Sequence, residues 1–502
     1  MCNFDEYLKS YRGLLIAPAG HGKTTAIADC IKLCPDDQCQ LILTHTHAGI
    51  ASLREKLRKK KIPANKYHLE TITGIAQRYV LSYLGSAVLP KLDEKEYFDK
   101  AVKECIKLLQ SSVVQIVVKS SYKGIFVDEY QDCTVEQHHM IMELASQLPL
   151  HLLGDPLQGI FSFGERPLVD FDFGLASFKR FKLLDYPWRW VDTNPRLGQQ
   201  ILDIRNKLEQ GCPIKLEDNQ QVGFCVVDTP TDEEKKYYTL RSLINQYNCD
   251  SMLIICPSYH EYDKRGNMRL RGDVNNRIKI KQRVDFGNSF CIIDAIDGAA
   301  YYSCARMIDS FIEKHGRINE VSKLCDIMKS LHLNTGEVRK WIDKERNRFK
   351  NRKKEKVLSD TLKNTYKKFQ EESTLENLRE VIRFIINLPS VKCYHKNLYR
   401  AIDSCFSIAI ANNTKMYEAM VLLKNRVRHQ GRRIEGKCIA STLLTKGLEF
   451  DTVIIWEAHK FEDAENFYVA ISRARKKLII LTEQKTMTFG DRRHKWKNGV
   501  YN

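Results

Sequence analysis

The chain reads GLLIAPAGHGKTT from Gly13 to Thr25. The first four letters form a short apolar run that predicts a buried strand, and the residues from Thr25 to Ile31 predict a helix. A glycine-rich turn between a strand and a helix lets backbone amides approach a phosphate closely, and the amino end of the helix adds partial positive charge. In this context we expect Lys23 to reach the β and γ phosphates and the Thr24 hydroxyl to bind Mg²⁺. The stretch therefore predicts a strand–loop–helix unit that binds a nucleoside triphosphate.

A second element, GIFVDEYQD, runs from Gly124 to Asp132 and places two adjacent carboxylates after a short apolar run. Asp128, at the end of the predicted strand, can hold Mg²⁺ directly or through water. Glu129 is then placed to orient and deprotonate an attacking water. An isolated Asp-Glu pair is usually a solvated loop, but with the phosphate-binding loop it predicts hydrolysis of the triphosphate.

These two elements, together with others in the same order along nearly the whole chain, resemble the superfamily 1A DNA helicases of the UvrD, Rep and PcrA group. The additional elements are LILTHTHA at 41–48, TITGIA at 71–76, LLGDPLQGIFSF at 152–163, LDYPWR at 184–189, TKGLEF at 445–450 and VAISRAR at 469–475. Each is similar to a family motif, and TKGLEF matches almost residue for residue. The resemblance implies an ATP hydrolase with Mg²⁺ as its metal.

The resemblance also implies a role for each residue that matches a motif. Gln158 would sense the γ phosphate, Trp188 would stack on the nucleobase, and Arg189 and Arg473 would stabilise transition-state charge. The implied catalytic residues are Glu129, Gln158, Arg189 and Arg473; the nucleotide-binding residues are Gly20, Gly22, Lys23, Thr24, Thr25, Trp188 and Glu449; the metal ligands are Thr24 and Asp128; and the DNA contacts are Thr44, His45, Thr71, Phe161 and Phe163.

The 502 residues are too many for one core, and the motifs fall into two blocks, which predicts several domains. We expect an α/β fold with two RecA-like motor domains, each built on a parallel sheet and interrupted by a mainly helical insertion. The expected bounds are 1–78 plus 121–190 for the first motor domain, 79–120 for its small helical insertion, 191–297 plus 421–502 for the second motor domain, and 298–420 for its basic helical insertion.

The formal net charge is +18, and residues 301–420 carry +9 of it. Within that segment, residues 341–370 hold eleven basic and four acidic side chains. Such a run is often a solvated helix face. Beside motor motifs it equally favours contact with a polyanion, here single-stranded DNA or a junction of single and double strands.

The chain contains no apolar run as long as a membrane span, and its first residues are polar and acidic, so we expect no membrane partner and a cytoplasmic location. The sixteen cysteines include no Cys-x-x-Cys pair, which favours free thiols over a metal cluster.

Two functions compete at this point. The first is an ATP-dependent DNA translocase or helicase, with 3′→5′ polarity implied by the resemblance, in which hydrolysis is coupled to closure of a cleft between the motor domains. The second is a DNA- or nucleotide-sensing ATPase subunit that regulates a partner nuclease in antiphage defence and unwinds little. The compact length resembles the helicase subunit of Gabija-type antiviral systems, which supports the second possibility by analogy.

Overall fold

The computed structural model describes residues 3–90, 94, 96–160, 167–262, 268–271, 274–285, 289–293, 299–314, 320–430, 434–489, 496–497 and 500–501. The chain forms two compact units. The first unit combines Met1–Asp273 with Gly431–Asn502, and the second is Val274–Gln430.

Helices and strands are numbered in chain order. The helices are α1 Asp5–Lys9, α2 Lys23–Leu33, α3 His47–Lys59, α4 Ile72–Leu84, α5 Tyr97–Leu109, α6 Ser112–Ser121, α7 Val135–Leu144, α8 Trp188–Val191, α9 Pro195–Glu209, α10 Glu233–Gln246, α11 Val274–Val284, α12 Ala299–Glu313, α13 Glu320–Ser330, α14 Thr335–Val338, α15 Lys356–Glu371, α16 Leu375–Ile386, α17 Lys396–Asn412, α18 Met416–Gln430 and α19 Ala464–Ile471. The strands are β1 Arg12–Ile16, β2 Gln40–Thr44, β3 Tyr67–Thr71, β4 Gly124–Val127, β5 Leu150–Gly154, β6 Lys179–Phe181, β7 Ile214–Lys215, β8 Phe224–Asp228, β9 Met252–Cys256, β10 Tyr259–Tyr262, β11 Met268–Arg271, β12 Phe290–Ile292, β13 Ile342–Asp343, β14 Arg348–Phe349, β15 Lys437–Ser441, β16 Phe450–Ile455, β17 Ala474–Thr482, β18 Thr486–Met487, β19 Trp496–Lys497 and β20 Val500–Tyr501.

The first unit contains a parallel sheet with the strand order β3-β2-β4-β5-β1-β6. Strands β2, β4 and β5 are buried along their whole length, which explains why their sequences are almost continuously apolar. Ile16 at the end of β1 pairs with Gly154 at the end of β5, and Val127 at the end of β4 pairs with Leu152. The loops that follow these three strands therefore leave the sheet at the same edge.

The same unit contains a second parallel sheet in which β15, β9, β16, β17 and β8 lie side by side in that order. Helices α9 and α19 pack beside this sheet. The TKGLEF stretch ends at Phe450, the first residue of β16, and Arg473 directly precedes β17, so both lie at the amino ends of their strands. The prediction of two RecA-like parallel-sheet domains is confirmed.

The second unit, taken by itself, is mainly helical. Its core is formed by α12, α13 and α15–α18, which pack around large buried side chains such as Trp341, Phe369 and Phe406. A two-residue pairing of β13 with β14 holds the turn that precedes the basic α15.

Several helices continue through the expected domain bounds. Position 79 lies inside α4, and position 421 lies inside α18, whereas the second unit begins at Val274 and ends at Gln430. The expected bound at 297/298 falls on residues outside the described part. Domain bounds depend on which surfaces pack together, and local composition does not report that packing. The expected division into four segments therefore stays a prediction.

In the described part of the chain, none of the helices has the length and apolar character needed to cross a bilayer. The fifteen cysteines in that part are free thiols.

Candidate active site between the two sheets

The phosphate-binding loop is held in a shape that requires glycine at two positions. Gly20 and Gly22 have φ angles of 75° and 86°, in the left-handed region that other residues rarely adopt. A Cβ atom on Gly20 would also lie 2.8 Å from side-chain atoms of Arg189 and Trp190. The Lys23 ammonium donates to the carbonyls of Ala17 and Pro18, at 2.8 and 3.1 Å. The lysine thus lies against its own loop, and burial lowers its pKa.

The two carboxylates lie beside this loop at the end of β4. The Thr24 hydroxyl donates to Asp128 Oδ2 at 3.1 Å, so the two expected metal ligands are adjacent. Burial and the neighbouring Glu129 raise the pKa of Asp128 to about 7. Burial also favours the neutral form of Glu129, but Lys446 and Lys23 outweigh it and hold the pKa of Glu129 below its usual value. These shifts favour an ionised Glu129. A bound cation would stabilise the ionised form of the neighbouring Asp128.

The site contains two arginines, Arg189 on α8 and Arg473 directly before β17 of the second sheet. The Arg189 guanidinium donates to the Ser472 carbonyl at 2.6 Å and pairs with Glu449 at 3.0 Å. Arg473 is 1% exposed and donates to the Val469 carbonyl at 2.8 Å. Burial and the nearby Arg189 lower the pKa of Arg473 to about 9, so it remains positively charged at neutral pH.

Lys446 also lines the cavity, although no function was predicted for it from the sequence. Its ammonium donates to a carboxylate oxygen of Asp132 and, at 2.6 Å, to the Gln158 carbonyl, and it lies 4.0 Å from Glu129. Asp132 is buried, and burial raises its pKa to about 7 although Lys446 acts against it. The sequence signals were present, since Asp132 ends the GIFVDEYQD stretch and Lys446 lies in TKGLEF, but their contact spans 314 positions.

A cavity of about 310 Å³ lies between the carboxyl edge of the first sheet and the amino ends of β16 and β17. Residues from both sheets line it, and they include most of the predicted set. The predicted residues that line it are Gly20, Gly22, Lys23, Thr24, Thr25, Thr44, His45, Asp128, Glu129, Gln158, Trp188, Arg189, Glu449 and Arg473.

Trp188 lies at the rim of the cavity. Its indole would contact a Cβ atom on Gly22 at 3.1 Å, and it meets the Tyr186 ring edge-on at 4.6 Å between centroids. Trp188 is 62% exposed, so the side chain is accessible beside the phosphate-binding loop. Stacking of Trp188 on a nucleobase stays a prediction.

The predicted DNA-contacting residues have mixed positions. Thr44 is buried, and His45 lies in the cavity wall with its Nε2 atom 3.4 Å from Cys133 Sγ. Burial, with Lys446 nearby, lowers the pKa of His45 to about 3, so the ring is neutral. The Thr71 hydroxyl accepts from the Gly74 amide and caps α4. Phe161 and Phe163 lie outside the described residues, and DNA contact by all five residues stays a prediction.

Two parts of the chain match known helicase families. Residues 90–165 match the UvrD/REP helicase N-terminal domain, and residues 347–482 match the viral superfamily 1 RNA helicase core domain. The first match contains the GIFVDEYQD stretch, and the second contains both late motifs.

A curated relative is subunit RecB of the RecBCD enzyme from Buchnera aphidicola subsp. Acyrthosiphon pisum (strain APS). It is 23% identical over 137 residues, which cover 26% of this chain and 11% of that protein. The similarity thus spans about a tenth of the relative's length. The two family matches meet at the cavity, since the first contains Asp128 and Glu129 and the second contains Glu449 and Arg473.

Proposed function

We propose that this chain hydrolyses ATP when it is bound to single-stranded DNA and uses the hydrolysis to move along the strand in the 3′→5′ direction. The observation that carries the proposal is the cavity of about 310 Å³, because one wall holds Lys23, Thr24 and Glu129 and the other holds Arg473. A phosphate loop and an arginine from a second domain are the parts that phosphoryl transfer requires, since catalysis there is mainly positioning and charge stabilisation.

The residues around Thr24 suit a magnesium ion. A hydroxyl and a carboxylate oxygen 3.1 Å apart are hard oxygen donors of the kind that Mg²⁺ prefers. The raised pKa of Asp128 is the signature of a buried carboxyl that lacks enough positive charge around it. When bound, the ion would neutralise charge on the triphosphate.

In the proposed reaction, Lys23 leaves the carbonyls of Ala17 and Pro18 to bind the phosphates. Glu129, ionised at neutral pH, orients the attacking water and accepts its proton. Arg189 and Arg473 stabilise the negative charge that develops on the transferred group.

Hydrolysis can be coupled to movement along DNA because the residues that line the cavity come from both domains. Arg473 and Lys446 belong to the second sheet, so their distance from the phosphates changes whenever the two sheets move relative to one another. Hydrolysis then depends on closure of the cavity, and DNA held by both domains is advanced at each closure.

A strand-displacement experiment beside an ATPase assay tests the proposal. The substrates are duplexes with a 3′ single-stranded tail, a 5′ tail or no tail, each with and without ATP. We expect ATP-dependent displacement with the 3′ tail and little with the other two. Displacement only from the 5′ tail would overturn the polarity, and an ATPase that single strands do not stimulate would overturn the function.

Strong ATPase stimulation without displacement from any duplex would favour the alternative of a sensing subunit that regulates a nuclease. The RecB relative is a subunit of the RecBCD enzyme, which supports testing this chain with a partner as well as alone.

A further inference from the structure

The first unit contains a buried ion pair, Arg205 with Asp155, that has no role in the reaction proposed above. Arg205 lies on α9, which packs beside the second sheet, and Asp155 directly follows β5 of the first sheet. The Arg205 guanidinium donates to Asp155 Oδ1 at 2.9 Å, and the side chains are 7% and 0% exposed. Burying both charges is costly unless the contact is well formed, so this pair favours the relative position of the two sheets in which the contact is made.

Asp155 also contacts Gln158, which lines the cavity. Its other carboxylate oxygen, Oδ2, accepts from the Gln158 side-chain amide at 2.9 Å. Since a carboxylate accepts and cannot donate, the NH₂ end of the Gln158 amide must face Asp155. This contact therefore determines which end of the amide faces Asp155 and which end is left for the cavity.

A second set of contacts joins Arg205 to the phosphate-binding loop. Its guanidinium lies 5.9 Å from the centre of the Tyr468 ring, and the Tyr468 hydroxyl accepts from the Ala19 amide at 2.9 Å. The Gln131 side chain links the same network to Glu129, because it accepts from the Asp155 amide at 3.0 Å and donates to the Glu129 carboxylate. Arg205 is thus connected to Gln158, the phosphate-binding loop and Glu129 without touching the cavity.

We infer that Arg205 is a positioning residue, which through Asp155 sets the orientation of Gln158 toward the γ phosphate. Because Arg205 lies beside the second sheet and Asp155 follows a strand of the first, this orientation depends on the relative position of the two sheets. This inference rests on the proposed function. Arg205 touches no reacting group, so its loss leaves nucleotide binding intact and lowers the rate of the chemical step.

The test compares Arg205→Met with the wild-type chain in ATPase assays with saturating single-stranded DNA, beside direct measurement of nucleotide affinity. We expect kcat to fall about 10- to 100-fold, the effect of a small misplacement of a catalytic group, while the nucleotide Kd changes less than about threefold. Arg205→Lys keeps the charge and should recover part of kcat.

Glu209→Gln is the matched control, because Glu209 pairs with the other side of the same guanidinium at 3.0 Å and is 53% exposed. Its kcat should equal the wild-type value. In the Met variant burial raises the pKa of Asp155, with Lys23 still acting to lower it, so the variant should regain activity as the pH rises, a response that a general loss of stability does not produce.

If Arg205→Met does not fold, the double variant Arg205→Met/Asp155→Asn removes both charges and decides the question, with the same fall in kcat expected. A folded variant of either kind with wild-type kcat and an unchanged pH profile would overturn the inference and leave the proposed function standing. A wild-type chain without DNA-stimulated turnover would instead overturn the proposed function.

Discussion

Glu129 has a φ angle of 56°, a left-handed conformation that costs energy for a residue with a Cβ atom. Such strain concentrates at functional sites, and here it follows directly after β4, where Asp128 lies beside Thr24. The backbone turn places two consecutive carboxylates in one cavity although they leave the chain in different directions. This geometry supports separate roles for them, with Asp128 on the metal and Glu129 on the water.

The first prediction concerns Glu129→Gln. The amide fills the same space but cannot accept a proton, so kcat should fall at least about 100-fold, the usual contribution of a general base. Nucleotide affinity should stay close to the wild-type value, as measured by titration with a fluorescent nucleotide. The exposed Glu96 serves as the control, since Glu96→Gln should have no effect. Wild-type turnover in Glu129→Gln would exclude this residue as the base.

The second prediction concerns Lys446, whose ammonium contacts Asp132 and the Gln158 carbonyl. Lys446→Met leaves the buried Asp132 without its cation, and breaking a buried pair in this way costs about 3–5 kcal/mol. We expect the thermal midpoint to fall by several degrees. The double variant Lys446→Met/Asp132→Asn removes both charges and should recover most of that loss. If the double variant is as unstable as the single one, the loss does not come from leaving Asp132 unpaired.

The helices and strands show where reasoning from the sequence succeeds. The strand before the phosphate-binding loop, the helix after it and the strand before Asp128 were all predicted, because each is a short apolar run next to a residue of strong local preference. The edge at which they meet was also predictable, since parallel strands share their carboxyl ends. Contacts across 50 or more positions, such as Arg205 with Asp155, were not.

The sequence nevertheless contains a signal that Arg205 is buried. On α9 it shares a buried face with Leu197, Ile201 and Leu208, which recur at helical spacing. A charged residue on an apolar helix face is a signal for a buried partner. The partner itself could not be named, because an arginine on that face can pair with any carboxylate that the tertiary structure brings to it.

The third prediction concerns strand β5. His151 is 3% exposed and its ring lies between Tyr7 and Phe126, with centroids 5.0 and 4.8 Å away. Burial lowers the pKa of His151 to about 4, below the value of about 6.5 in an unfolded chain. Between these pH values His151 is protonated in the unfolded chain but not in the folded chain. The free energy of unfolding therefore falls as the pH falls through this range, by about 1.4 kcal/mol per pH unit.

His151→Phe keeps an aromatic ring in the stack and removes this proton uptake. Its free energy of unfolding, measured by urea denaturation, should rise relative to the wild type by about 2–3 kcal/mol between pH 7 and pH 4.5. Comparing the two chains at each pH cancels the opposite contributions of Asp128 and Asp132. The exposed His139→Gln should show no such trend. A difference that stays constant with pH would contradict the buried, neutral state of His151.

For the whole molecule, the net charge of +18 and the basic segment at 341–370 lead to the fourth prediction. Lys353, Lys354 and Lys356 are exposed in the second unit. If all three contact phosphates of a single strand, replacing them with Gln should weaken DNA binding and make the slope of log K against log salt less steep by about two.

The control for this experiment replaces Lys207, Lys215 and Lys235, which are exposed in the first unit, and removes the same charge. An equal effect of the two triple variants would show that net charge alone attracts DNA. No effect of the first triple variant would indicate that the basic segment is only a solvated helix face.

The two-sheet plan of the molecule and most of the cavity were predictable because their residues occur in short motifs in a fixed order. The domain bounds were less predictable, since α4 and α18 run through them. What the whole molecule adds is that residues more than 400 positions apart, such as Lys23 and Arg473, line one cavity. We propose that this shared cavity is a DNA-dependent ATPase site.

The most direct test of this DNA-dependent activity is the steady-state rate of ATP hydrolysis by the purified 502-residue chain, with and without a single-stranded oligonucleotide, for the wild type and for Arg473→Ala. Removing one transition-state arginine should cost about 10³-fold or more in kcat. We expect low turnover alone, strong stimulation by the oligonucleotide, and loss of the stimulated rate in Arg473→Ala with nucleotide still bound. Equal rates with and without DNA, or an Arg473→Ala variant as active as the wild type, would contradict the proposal.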